Sequence, residues 1–379
     1  MAWRMDSWRT VTLAEVVTLQ RGHDLPSQDR EEGQVPIIGS FGITGTHDEA
    51  KYQGPGVAIG RSGASIGVAT YCKSDYWPLN TCLFVKNFRG NYPRWVYYLL
   101  DSIDFTAYNS GSAQPSLNRN YLANIRIALP PLPEQRAIAE VLGALDDKIE
   151  SNRRKVEILS ALEEAQFAKR FSEQPLTLVL ADIAEIVDCL HTKKPAKQAQ
   201  GRTLLQLGNI LDDGTLDTTN LHPVSDEDYA RWTVNMEATA GDLVITNVGR
   251  VGVVARIPNN FRCALGRNMT GVRASQPMDA PFIYRALLDP RTRRGIDLLV
   301  DSGTIMDALN VHAIRRIAMP AASRAERSQF ADEINSLIAL TDTCMSEARS
   351  LSKLRNALLP ALLSGRIRVP AAAELVEAS

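Results

Sequence analysis

The stretch Leu129-Pro130-Pro131-Leu132-Pro133-Glu134-Gln135-Arg136-Ala137-Ile138-Ala139 decides how this chain is read. Its prolines stop whatever precedes them. Glu134 then opens a helix at the end where a carboxylate is favoured. Apolar residues follow at Ile138, Leu142, Leu145, Ile149, Val156 and Leu159, mostly three and four apart, which predicts a helix from Glu134 to Phe171. At the usual helical rise it is about 57 Å long. Asn152 falls where the seam calls for an apolar residue. A stripe so long and narrow exceeds what one small domain can cover, so it needs a partner helix.

The partner is written later in the same chain. Ser302-Gly303, Leu309-Asn310, Pro320 and Glu326 repeat Ser110-Gly111, Leu117-Asn118, Pro130 and Glu134. Gly111 and Gly303, Leu117 and Leu309, Glu134 and Glu326, and Leu145 and Leu337 are each 192 residues apart, and only the prolines slip. The second seam runs through Phe330, Ile334, Leu337, Thr341, Cys344, Leu351, Leu354 and Leu358, from near Arg324 to Ser364-Gly365, with Pro360 expected to kink the last turn. Two copies are too few for a solenoid. They suit a pseudo-twofold chain whose long helices pack antiparallel, and duplex DNA is a partner of matching symmetry.

Each long helix follows a stretch of short apolar runs. Strands are expected at Val35–Ile38, Val57–Arg61, Ile66–Tyr71 and Leu83–Lys86, then at Leu204–Leu207, Asp242–Thr246 and Val251–Ile257. Proline opens short helices at Pro93–Ile103 and Pro281–Leu288.

The 379 residues are 45% hydrophobic and 22% charged, as in ordinary globular domains. No apolar run is long enough to span a membrane, and Met1 to Asp6 lacks a signal peptide's apolar core, so a cytoplasmic location is expected. The five cysteines and five histidines are dispersed, which argues against a disulfide framework or structural zinc. Net charge is −1, yet basic residues cluster at Lys193, Lys194, Lys197 and Arg202, at Arg291, Arg293 and Arg294, and at Arg153 to Lys155. Each cluster reads either as a solvated face or as a local nucleic-acid surface.

Catalytic motifs are missing: no P-loop, Rossmann fingerprint, nucleophile elbow or His-Glu-x-x-His occurs. What recurs is a strand, a turn with glycine and arginine, and a strand: Val57 to Val68 with Arg61, and Gly241 to Val253 with Arg250. Such an arginine can meet a guanine edge or a phosphate, or simply face solvent.

The motifs Gly-Ser-Ala-Gln-Pro-Ser-Leu-Asn (111–118), Leu-Pro-Pro-Leu-Pro-Glu-Gln-Arg-Ala-Ile-Ala (129–139), Gly-Asp-Leu-Val-Ile (241–245) and Leu-Leu-Ser-Gly-Arg-Ile-Arg-Val (362–369) resemble those of DNA specificity (S) subunits of type I restriction–modification systems. The resemblance implies an α+β chain: two similar globular target-recognition domains, separated by two long helices packed as an antiparallel coiled coil. The divisions are residues 1–130 and 175–321 for the domains, 131–174 for the first spacer helix, and 322–379 for the second with its tail. It implies a non-catalytic subunit that assembles on double-stranded DNA with modification (methyltransferase) and restriction (endonuclease and translocase) subunits. Those partners would hold S-adenosylmethionine and ATP, and this chain no cofactor or metal. The second copy departs from the signature, with Arg327 where Gln135 stands in the first.

On this reading Arg61, Ser62, Ser65, Ser112, Gln114, Lys193, Lys194, Asn247, Arg250 and Thr304 are candidate DNA contacts. Glu134, Gln135 and Glu326 are candidates for docking the modification subunit. The target is expected to be bipartite and asymmetric, with half-site centres roughly 10 base pairs apart. Four residues inserted after Ile149, matched after Thr341, would lengthen the unread spacer. Two other readings stay open: an adaptor that uses the coiled coil without reading DNA, and an enzyme subunit whose catalytic site is not recognisable.

Overall fold

A computed structural model describes residues 8–108, 116–212, 214–218, 220–301 and 307–369. The chain divides into two compact units, Met1–Glu150 with Ser350–Ser379, and Ser151–Arg349. The helices Leu132–Phe171 and Arg324–Leu363 each give one half to each unit.

In the first unit, strands Thr18–Arg21, Cys82–Asn87, Gly56–Gly60 and Ala69–Cys72 form an antiparallel sheet in that order. A second sheet has Val35–Gly39 at its centre, antiparallel to Gly42–His47 and parallel to Trp77–Pro78. Arg9–Thr12 pairs with Arg126–Leu129. The second unit repeats this plan. Ala184–Asp188, Met269–Ala274, Leu243–Thr246 and Val254–Arg256 form the first sheet. In the second sheet Arg202–Leu205 lies between His222–Val224, antiparallel, and Cys263–Leu265, parallel, with Glu237–Ala238 added at the edge. Leu176–Val179 pairs with Ala318–Pro320. The repeat therefore extends through both modules, well beyond the shared signatures.

The expected strands shorten where glycine turns claim their ends. Ala69–Cys72 starts late because Gly63 and Gly67 adopt φ +69° and +81°. Val254–Arg256 does so because Gly252 sits at +74°. Strands such as Thr18–Arg21 carry no fully buried residue and so gave no apolar run to read.

The short proline-opened helices sit where expected, at Pro93–Ser102 and Ala280–Leu288. Pro93–Ser102 buries Trp95, Val96, Tyr98, Leu99 and Leu100 in a core shared with Ile138, Leu142 and Leu145 of the first long helix and Leu358 and Leu362 of the second. In the second unit Phe167, Phe171, Phe282 and Phe330 form the corresponding aromatic centre.

The two long helices pack antiparallel. In the first unit Arg355 bonds Asp101 at 2.8 Å and reaches Asp146 at 3.4 Å. In the second, Asn152 Nδ2 donates to Glu347 at 2.7 Å, and Arg170 pairs with Glu333. Asn152 is wholly buried, so the interruption read in the sequence is a polar layer inside the seam. The second helix continues through Pro360 to Leu363, and Gly365 at φ +71° supplies its left-handed end.

Further along the first long helix, burial pushes the Glu163 carboxyl up, against the pull of Arg285 and Arg256. A carboxyl raised on folding contributes stability below its ordinary value of 4.5, and that contribution is lost as pH rises through the folded value. Glu163→Gln is therefore expected to flatten the pH dependence of stability between the ordinary value of 4.5 and the raised folded value, as read by urea titrations at several pH values. An unchanged pH profile would remove Glu163 as its source.

Candidate nucleic-acid interface

In each unit the candidate face is a turn at the end of a central strand. In the first, the Gly60 N–H donates to Val68 O at 2.9 Å, and the Gly67 N–H returns to Gly60 O at 3.0 Å. A Cβ on Gly60 would lie 2.0 Å from Ser65 O and 2.5 Å from Ser40 O, so only glycine permits this close approach. The Leu117 N–H donates to Arg61 O at 2.8 Å, and Ser62 bridges Ser116. In the second, the Thr246 N–H donates to Val253 O at 3.0 Å and the Gly252 N–H to Thr246 O at 2.8 Å. The Leu309 N–H donates to Asn247 O at 2.8 Å, and Val248 bridges Ala308.

The repeated Leu-Asn pair thus has a local cause. Leu117 and Leu309 are buried anchors tied to the turn, and the next residue caps a helix. Asn118 accepts from the Asn120 N–H, and Asn310 from the Ala313 N–H. Asn310→Ala is expected to cost about 1 kcal/mol, the usual loss for an N-cap, measured by urea denaturation. No loss at all would show that the cap contributes nothing.

This hydrogen-bond pattern corrects one pairing made from the sequence. The structural counterpart of Arg61 is Asn247, and Arg250 comes three residues later. The Arg250 guanidinium is engaged within its own unit, with Leu207 O at 2.9 Å, Ile210 O and Asp212 at 2.8 Å. It holds down the long connection between Arg202–Leu205 and His222–Val224, where the first unit has only a two-residue turn. Asn247 is also turned inward, with its amide bonded to Thr270 and Leu309 O. Ser65 is buried and donates to Ser62 O at 2.8 Å. Arg61 and Ser62 are half-buried, and Arg61 makes a single side-chain hydrogen bond among the described residues, to Asn80 O at 3.2 Å.

Lys193 and Lys194 are exposed on a segment without regular secondary structure. Ser112, Gln114 and Thr304 lie outside the described residues. Of the other basic clusters, Arg291 caps the first long helix by donating to Phe171 O and Gln174 O, and Arg293 holds Gly252 O. Arg294 and the group Arg153 to Lys155 are exposed.

The residues expected to dock a partner divide differently from the sequence reading. Gln135 is buried: its Oε1 accepts from the Tyr92 N–H at 2.9 Å, and its Nε2 donates to Asn91 and Pro130 O. Glu134 is buried too, accepting from Trp8 Nε1 at 2.7 Å and pairing with Arg368. Both therefore serve the interior of the first unit and present little surface to a partner. Glu326 is exposed and closes a capping box with Ser323.

Sequence reading missed one apolar feature beside the Arg61 turn. Phe41 is 68% exposed and Ile43 60%, at the tip of the hairpin whose Ser40 carbonyl abuts Gly60. Val68, on the same turn, is exposed as well. Gly39-Ser40-Phe41-Gly42 places phenylalanine where a turn ordinarily carries a polar residue, and that was the available signal. Among the described residues one group of potential metal ligands occurs, Asp188, Cys189 and His191. All five cysteines are buried free thiols. No helix of the described residues is long and apolar enough to cross a membrane.

Residues 5–160 match the type I restriction modification DNA specificity domain. The putative type I restriction enzyme MjaX specificity subunit of Methanocaldococcus jannaschii is 23% identical over 286 residues, 68% of this chain and 62% of that protein. The type I restriction enzyme EcoprrI specificity subunit of Escherichia coli is 27% identical over 140 residues, 36% of this chain and 35% of that one. The chain thus spans less than two thirds of the length of these relatives. The crystal structure of the type I restriction–modification system S subunit from M. genitalium shares the fold, with a TM-score of 0.64, 17% identity, and coverage of 96% of this chain and 98% of that one. Residues 5–160 are thus similar to the type I restriction modification DNA specificity domain, and the chain resembles the specificity subunits of type I restriction–modification systems in sequence and fold.

Proposed function

We propose that this chain reads a bipartite, asymmetric DNA target for a type I restriction–modification complex and performs no chemistry itself. The observation that carries the reading is the duplicated module. Two units of one topology each end a central strand in a turn tied to a buried leucine and a capped helix, while the turn residues differ between copies. One scaffold with divergent turns suits two half-sites of different sequence. Modification subunits would supply S-adenosylmethionine and methyl transfer, and restriction subunits would supply ATP-driven cleavage. With a net charge of −1, tight binding is expected only together with the modification subunits, which would share the phosphate contacts.

Sequencing methylated DNA from hosts with and without this gene, alongside a modification subunit, tests the reading. A split motif with an unread gap is expected, and a continuous motif would refute it. Arg61→Ala is expected to weaken target binding by roughly 1–3 kcal/mol and relax one position. Phe41→Ala should act at a neighbouring position through lost apolar contact. Lys193→Ala and Lys194→Ala should weaken all sequences alike and lower the salt slope. If Arg61→Ala and Phe41→Ala both leave affinity and motif unchanged, the proposed face is wrong.

The four-residue insertion that lengthens the unread spacer belongs at a different place in the second helix from the one the sequence suggested. Asn152 sits opposite Glu347, and Arg355 reaches Asp146, so Ile149 lies at the level of about residue 350. Thr341 is the repeat equivalent of Ile149, but it is not its neighbour across the seam. The matched four-residue insertion therefore belongs after Ser350. It adds about 6 Å to both helices and keeps their axial pairing on either side, with a stutter that turns each seam by about 40°.

A further inference from the structure

The cysteines and histidines are scattered along most of the sequence, but Asp188, Cys189 and His191 lie within four residues and bring three potential metal-binding side chains together in the second unit. Asp188 ends the strand Ala184–Asp188, and Cys189 and His191 follow at once. The carboxylate oxygen, thiol sulfur and imidazole nitrogen all lie within 4.8 Å of one another. Cys189 is buried, Asp188 half-buried and His191 exposed, so the cluster has a protein floor and an opening to solvent.

We infer that Asp188, Cys189 and His191 form a site for a zinc-class divalent cation, with the fourth position left to water. A tetrahedral zinc ion with bonds of 2.0–2.3 Å holds its donors roughly 3.3–3.8 Å apart. His191 Nε2 and Asp188 Oδ2 are already 3.1 Å apart, so the remaining adjustment is of the order of an ångström in two accessible side chains. One sulfur, one imidazole and one carboxylate favour zinc or cobalt over magnesium or calcium, which prefer all-oxygen shells.

The place of the cluster gives the site a task. Residues 189–201 have no regular secondary structure, yet they carry Lys193, Lys194 and Lys197. Without a metal His191 is tied to the end of the sheet by its pair with Asp188, whose side chains are 67% and 45% exposed, while farther on Pro195 O meets His222 and the Gln198 N–H donates to Pro223 O. Ion pairs so open to water contribute little. A cation tying Cys189 and His191 to the end of the sheet would fix where the lysines begin.

The test uses the full chain, stripped with a chelator under reducing conditions and titrated with cobalt alone, then with zinc. One cobalt per chain with a sulfur-to-metal charge-transfer band, displaced by zinc, is expected. Cys189→Ser should abolish the band, and Cys344→Ser should leave it intact. His191→Ala and Asp188→Asn, at accessible positions, should keep the fold and weaken zinc binding by more than the roughly 10–100-fold that loss of a supporting group around a metal costs. Zinc should slow tryptic cleavage after Lys193 in the parent chain and not in His191→Ala. No charge-transfer band at stoichiometric cobalt, a band that survives in Cys189→Ser, or unchanged zinc affinity in both accessible variants would overturn the site. None of these readouts involves DNA, so their failure leaves the specificity-subunit reading untouched.

Discussion

Arg327→Ala is expected to destabilise the second unit by about 3–5 kcal/mol, because it leaves a buried carboxylate without its counter-charge. Arg327 Nε donates to Asp279 at 2.7 Å, and its Nη1 donates to Ala322 O at 2.7 Å. The Asp279 side chain is 2% exposed, so water cannot replace the lost partner. The first unit solves the same problem without charge. Gln135 occupies the equivalent position, accepts from the Tyr92 N–H just before the helix Pro93–Ser102, and donates to Pro130 O five residues back. Arg327 reaches Asp279, just before the helix Ala280–Leu288, and also the carbonyl five residues back. The departure from the Pro-Glu-Gln signature is thus a paired exchange that keeps the corner. Arg327→Ala combined with Asp279→Ala should cost clearly less than the sum of the single changes, since the pair is one unit of interaction. Urea denaturation of the four chains measures this. Strict additivity, or a cost for Arg327→Ala below 1 kcal/mol (the range of exposed pairs), would show that the pair is not a buried lock.

Phe330→Ala is expected to cost a similar 3–5 kcal/mol, the range for removing a buried phenylalanine from a packed core. Phe330 is fully buried, with ring centroids 5.6 Å from both Phe167 and Phe171. Phe171 in turn lies 5.1 Å from Phe282. These rings join both long helices to the helix Ala280–Leu288, so the cavity would open where three elements meet. Hydrogen exchange should rise first in Ala280–Leu288 and in the parts of both long helices between Ser151 and Arg349. Phe330→Leu should cost less, because it keeps most of the volume. If Phe330→Ala accelerates exchange equally in Pro93–Ser102, the second unit is not an independent centre of stability.

The long helices were legible because a period of three and four survives along their whole length, and length is what distinguishes a helix from a short apolar strand. The short helices were legible because proline marks their first turn. The candidate interface was less so. Gly60-Arg61 and Gly249-Arg250 look alike as strings, but main-chain bonds to Leu117 and Leu309 make Asn247, not Arg250, the counterpart of Arg61. The fate of Arg250 depends on a loop some forty residues earlier, whose carbonyls it meets only after folding. Local spacing carries no information about such a contact. The burial of Glu134 and Gln135 was illegible for the same reason. Polar residues at a helix start are ordinarily solvated, and only Trp8, Asn91, Tyr92 and Arg368, brought in from distant parts of the chain, make these two interior.

The sequence by itself determined the duplication, the two long helices, their antiparallel pairing and the resemblance to specificity subunits. All of these are written in periodicity and in repeated short motifs, which are local properties of the chain. Tertiary structure alone decided which arginines face outward, which signature residues are buried and what stands opposite Ile149. Each of those depends on groups far apart in sequence meeting at hydrogen-bond or packing distance. The free energy of those meetings comes from desolvation and geometry, which no single segment encodes.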